Sequence, residues 1–225
     1  MSELLEETLG GIVHDLNNLL TVLKGYPEML LQRPGLDPDL RRRLESMHRA
    51  STKADGYVRQ LATIAGKVPT RPAPLDLAAA LEQAAAAGPP CGLELQPARV
   101  SADPEQLDAL LGELLAVARE RGGEAGVRAR IVVAGESARV EVEEGGAPLD
   151  PARALLPFGL RRLERARGLA LAAAAATARR WGGELSVESG AMTCWRLSLP
   201  LLAERGLAAP PEGAGTPPPC TRPAP

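Results

Sequence analysis

The strongest constraint on this 225-residue chain is an apolar seam at its N-terminus. Leu5, Leu9, Ile12, Leu16, Leu19, Leu23, Tyr26 and Leu30 alternate four and three apart, the spacing that lays one continuous apolar stripe along a helix. The pattern predicts a helix over 2–33, with Pro27 removing one backbone hydrogen bond and bending it late. Arg33-Pro34-Gly35-Leu36-Asp37-Pro38 is turn chemistry. Leu40, Leu44, Met47, Ser51, Ala54, Val58 and Leu61 then repeat the spacing, which predicts a second helix from about Asp39 to Gly66. Two long helices with a short turn form an antiparallel hairpin. One hairpin cannot bury a two-sided seam, so a homodimer pairing two hairpins into a four-helix bundle is expected.

Beyond the hairpin the periodicity changes. Val68 to Pro74 reads as a linker. The region after it predicts helices at 75–87, 104–121 and 166–181, and strands near 92–96 and at 126–134, 137–144, 184–189 and 193–199. Mixed strands and helices without strict alternation give an α+β class, here a hairpin followed by an α/β sandwich. The expected domains are a hairpin at 1–67, a linker at 68–74, the sandwich at 75–203 and a Pro-rich disordered tail at 204–225. One Phe, two Trp and two Tyr leave the cores to Leu, Val, Ile and Ala. A net charge of −2 gives no basic face for nucleic acid and no polybasic membrane anchor. No signal peptide is visible, and no apolar run approaches the roughly 20 residues that span a bilayer, so a cytoplasmic protein is expected. Cys91, Cys194 and Cys220 form no CxxC pair, and no metal site or disulfide framework is expected.

His14 falls between the seam residues Ile12 and Leu16, on the outer face, with Asn18 four residues on and Thr21 seven. Asp15 beside it can accept the proton of one ring nitrogen in a hydrogen bond, which fixes the tautomer and leaves the other nitrogen as a nucleophile. Spacing alone does not separate this from an ordinary surface histidine. The run His14-Asp15-Leu16-Asn17-Asn18-Leu19-Leu20-Thr21, however, resembles the phosphoacceptor motif of bacterial sensor histidine kinases, HDFNNLLT in the hybrid branch. The resemblance implies that His14 is the phosphorylated residue, Asp15 its acid/base partner, and Asn18 the position that orients water in dephosphorylation of a partner. It also places Asn17 and Thr21 on the face that meets the partner.

The second region resembles the ATP-binding (GHKL) domain of the same kinases. Asp103-Pro104-Glu105-Gln106-Leu107 is similar to the DPxQL helix start, and the motif NLVVNARDA follows on the same helix, with Glu113 and Val117 at its two Asn positions. Valine has no lone pair for the magnesium that the second Asn binds. The motif DTGPGMDP aligns with 144–151, so the adenine-reading Asp is Glu144, Gly146 is kept, and the second Gly is Pro148. Of the GTGLGL cradle only Gly168 is left, with Ala166 and Ala170 at two other glycines. The structural tail, 181–189 and 193–200, follows GGxLxVES and TxFxIxLP. Arg161, Arg162, Arg165 and Arg167 form a basic cluster in the lid.

The resemblance thus implies a kinase frame without nucleotide ligands: no cofactor, ATP not used, and Mg2+ supplied by the partner. Thirteen residues precede His14, which leaves no expected input module. The resulting expectation is a histidine phosphotransferase that passes phosphoryl groups between response-regulator receiver domains. The alternatives are an ATP-dependent kinase without its own sensor, a non-catalytic scaffold, and a receiver phosphatase.

Overall fold

A computed structural model describes residues 3–123, 126–159 and 165–202. Helix α1 (Glu3–Leu31) and helix α2 (Pro38–Ile64) form the hairpin. The first runs unbroken through Pro27. The second starts on Asp37, whose side chain accepts from the N–H groups of Asp39 and Leu40, with Pro38 in the first turn where its missing N–H is harmless.

The packing shows how the two-sided seam is divided. Val13 and Leu20, with half-buried Leu16, meet Val58 and Ala62 of α2. Ile12, Leu19, Leu23 and Tyr26 are about half exposed or more. Seam residues Leu5 and Leu9 lie where side chains are outside the described residues. Helix α1 therefore carries two adjacent apolar stripes, and the hairpin fills only one of them. Helix α2 repeats this, with Leu44 and Val58 buried but Leu40 and Met47 exposed.

The second unit follows as β1 (Ala73–Asp76), α3 (Leu77–Ala86), β2 (Gly92–Glu94), β3 (Arg99–Ala102), α4 (Pro104–Gly122), β4 (Val127–Ala134), β5 (Ser137–Glu144), α5 (Pro151–Ala154), α6 (Arg165–Arg180), β6 (Glu184–Ser189) and β7 (Thr193–Pro200). Strands β2-β4-β5-β7-β6 form one sheet, parallel only between β2 and β4, and β1 pairs antiparallel with β3. Alternation along each strand points Ala129, Ile131, Val140, Val142, Trp195 and Leu197 into the core, against Leu81 of α3, Leu107, Leu111 and Leu114 of α4, and Leu171 of α6. The opposite sheet face carries an ion-pair chain. Arg130 meets Glu141 at 2.6 Å, Arg196 meets Glu141 at 3.2 Å, and Arg196 also pairs with Glu188.

Two strands and one short helix differ from expectation. The end of the expected linker is already β1, and the helix expected from residue 75 starts only at Leu77, because Asp76 turns its side chain back as the cap of α3. Strand β3 and helix α5 are four residues each, too short for a periodic signal. Arg161 and Arg162, with the tail from 204, lie outside the described residues. Among the described residues no helix is long and apolar enough to cross a membrane.

The remaining linker is tied down. Arg180 donates to the Val68 carbonyl at 2.6 Å, Gln106 to the Pro69 carbonyl at 2.8 Å, and Trp181 Nε1 to Thr70 Oγ1 at 3.1 Å. The Arg71 N–H donates to Asp103 Oδ2 at 2.7 Å.

Candidate functional site

The hairpin places His14 by leaving it off both apolar stripes, and its side chain is 76% exposed. Nδ1 lies 3.4 Å from Asp15 Oδ1 and 3.4 Å from Asn18 Nδ2. Both contacts are long for hydrogen bonds, and they make opposite demands. A carboxylate needs Nδ1 to carry the proton, whereas the amide N–H needs it bare. The Asp15 arrangement leaves the lone pair on Nε2, which makes no hydrogen bond among the described residues. That is the tautomer of a nucleophile.

Thr21 shares the face, but its hydroxyl donates to the Asn17 carbonyl at 2.8 Å, so it is engaged with its own helix. Asn17 instead borders a groove of about 500 Å³, together with Gly10, Gly11, His14, Arg59 and Lys67. Neither Arg59 nor Lys67 was evident as a site residue from the sequence. Arg59 lies near the end of α2 and Lys67 just past it, both more than forty positions away, and no local pattern marks them.

In the second unit, Glu113, Val117 and Arg121 follow one another four apart along one stripe of α4. Glu113 borders a cleft between α2, α4 and α6 that also holds Gln60, Asp108 and Thr177. Val117 is fully buried, an aliphatic plug in the core. Glu144 has no exposed surface, and both its oxygens are taken. Oε1 accepts from Arg121 Nε at 2.6 Å, and Oε2 accepts from the Gly146 N–H at 2.5 Å. Arg121 continues to the Ala147 carbonyl at 2.5 Å. Gly146 is required by this closure, since a Cβ there would come within 2.5 Å of both the Arg121 carbonyl and Glu144 Oε2. Pro148 is exposed on the same loop. Gly168 is helical within α6, one turn into it. The structure thus joins Glu144 and Gly146 to each other and to Arg121, a partner that sequence reasoning did not identify.

Comparison with known proteins agrees with both halves. Residues 4–65 match the family described as the His Kinase A (phospho-acceptor) domain. Full-length ShkA in complex with AMPPNP is similar in structure, with a TM-score of 0.69 and 19% identity over 87% of this chain. The chain spans 46% of ShkA's length. The Acinetobacter baumannii histidine kinase AdeS gives a TM-score of 0.59 at 16% identity, covering 84% of this chain and 98% of AdeS. The mycobacterial sensor histidine kinase MprB gives 0.52 at 18%, covering 58% of this chain and 98% of MprB. No curated protein is a significant match in sequence. Residues 4–65 thus match the His Kinase A phospho-acceptor domain, and over 84–87% of the chain the fold is the one seen in ShkA and in the histidine kinase AdeS.

Proposed function

We propose that this chain is a histidine phosphotransferase of a two-component phosphorelay, a homodimer that takes phosphoryl groups from one receiver domain and hands them to another through His14. The observation that supports it most is a contrast. The His14 side chain is open to solvent and Nε2 makes no hydrogen bond among the described residues, while the adenine-reading position, Glu144, is locked to Arg121 and Gly146. Val117 and Pro148 add to it, one without a metal ligand and the other without a backbone donor. These residues do not fit a magnesium–nucleotide complex, and no step is assigned to one.

In this reading the receiver brings an aspartyl phosphate and its magnesium. Nε2 attacks phosphorus in line, the N–P bond forms as the acyl P–O bond breaks, and the receiver's carboxylate leaves. Asp15 holds the proton on Nδ1 and balances the positive charge that builds on the ring. The reverse reaction on a second receiver regenerates free His14. Transfer of this kind depends on positioning and charge neutralisation more than on covalent machinery, so few protein groups are needed. The exposed stripe of Ile12, Leu19, Leu23 and Tyr26 is the dimer face, closed by a second hairpin. The setting is the cytoplasm.

A second reading, an ATP-dependent kinase fed by a separate receptor, is favoured by one observation, the shared fold with nucleotide-bound ShkA. The phosphoacceptor assignment is common to both and is tested by His14→Gln. Mixed with labelled phospho-receivers from the same genome, the wild-type chain is expected to take up label within minutes and the variant to take up none. Equal labelling of the variant would remove His14 from the mechanism.

A further inference from the structure

The groove beside His14 has a cationic wall that neither the motif nor the phosphotransfer chemistry above has used. Its origin is the end of α2. Ala65 caps that helix, and Gly66 follows at φ +70°. The Lys67 N–H reaches back to the Ala62 carbonyl at 2.9 Å, and the Gly66 N–H to the Thr63 carbonyl at 3.0 Å. This is a Schellman closure, and it needs the left-handed residue that glycine supplies. Val68 then packs on the hairpin's core, fixing the direction of the reversed chain.

The reversal lays Lys67 across α1 at Gly10. A Cβ at Gly10 would stand 2.5 Å from Lys67 Cε and 3.4 Å from its Nζ, so the missing side chain there is the slot through which the lysine passes. Gly10 is four residues before His14, one helical turn away on the same face. The lysine and the imidazole thus border the same groove, whose lining Asn17 and Arg59 complete. The two cations differ in their company. Arg59 is already paired with Asp55 at 3.0 Å, and Lys24 reaches the same carboxylate at 3.8 Å. Lys67 is exposed and has no carboxylate partner among the described residues.

We infer that Lys67 is a positioning cation for the phosphoryl group on its way to and from His14 Nε2. It neutralises charge on the equatorial oxygens, while Arg59 stays committed to Asp55. The inference rests on His14 being the acceptor. A compact, flexible ammonium suits this task, since the phosphoryl group moves between donor and imidazole while the lysine stem is held by its slot. The groove is open to solvent, so the effect is expected to be about tenfold, below the ~10² of a buried donor.

The test uses the full-length chain with phosphoramidate, a small phosphoryl donor that needs no receiver, and follows phosphohistidine by 31P NMR. Lys67→Ala is expected to slow labelling of His14 about tenfold and Lys67→Arg to restore most of it. Gly10→Leu, which leaves the charge in the chain but fills the slot, is expected to resemble Lys67→Ala with unchanged far-UV circular dichroism. Raising salt is expected to slow the wild type and not Lys67→Ala, since only the former has a charge to screen. Wild-type labelling at His14 with an equal rate in Lys67→Ala would overturn the lysine's role alone. Absence of label on wild-type His14 would overturn the acceptor assignment and this inference with it.

Discussion

Arg121 and Glu144 meet 23 positions apart in sequence, at the end of a helix and the end of a strand. One is nearly buried and the other wholly so. A carboxylate in that setting is tolerable only with a close cation and further donors, and Arg121 and the Gly146 N–H supply both. Removing one partner leaves the other stranded. Arg121→Ala is expected to cost about 3–5 kcal/mol in denaturant unfolding of the second unit. Arg121→Ala combined with Glu144→Gln is expected to recover part of that loss, since the amide needs no counter-charge. A double variant no more stable than the single one would mean that the pair's charge is not what matters. The sequence showed Glu144 as a lengthened Asp and stopped there. It did not show where the extra methylene carries the carboxyl, because the partner is set by how α4 ends against the sheet.

Among elements, the legible ones were those with a period to read. The two hairpin helices, α4, α6 and strands β4 to β7 all carry enough residues for alternation or heptad spacing to show. Strands β1 and β3 do not, having four residues each and owing their pairing to one another. The hairpin's seam was legible as two-sided, but a three-and-four spacing on α1 does not say which partner each side chain meets. Asp103 shows how a short element is anchored. It caps α4 through the Gln106 N–H at 3.2 Å and grips the linker through Arg71. The Arg71 N–H, chiefly, and the N–H groups of the first turn of α4 hold its carboxyl below the usual carboxylate range, against the effect of burial. A lowered folded value means that the stabilisation is complete above the unfolded value of about 4 and is lost as pH falls through the folded one. Stability of the second unit is therefore expected to decline below about pH 4. Asp103→Asn, which keeps a capping oxygen, is expected to flatten that decline in acid-unfolding curves. An unchanged acid limb would place the acid sensitivity elsewhere.

At the scale of the whole molecule, two surfaces decide the behaviour. The first is the unfilled stripe of α1, where Leu19 is 61% and Tyr26 62% exposed. Apolar area of that extent, continuous along a helix, is expected to be covered by the same stripe of a second copy. Leu23→Glu is expected to shift sedimentation from dimer to monomer while helicity stays. A wild-type chain that sediments as a monomer would refute the bundle. The second surface is the face around His14, legible as a motif from residue 14 to 21, whereas its cationic wall was not, because Lys67 reaches it only through the turn at Gly66.

The central claim is that phosphoryl groups reach His14 from proteins and not from nucleotide. It is tested most directly by incubating the wild-type chain in parallel with γ-labelled ATP and magnesium, and with labelled phospho-receivers. The account predicts acid-labile, base-stable label on His14 from a receiver and none from ATP. Label that arrives from ATP alone, at a rate unaffected by receivers, would contradict it.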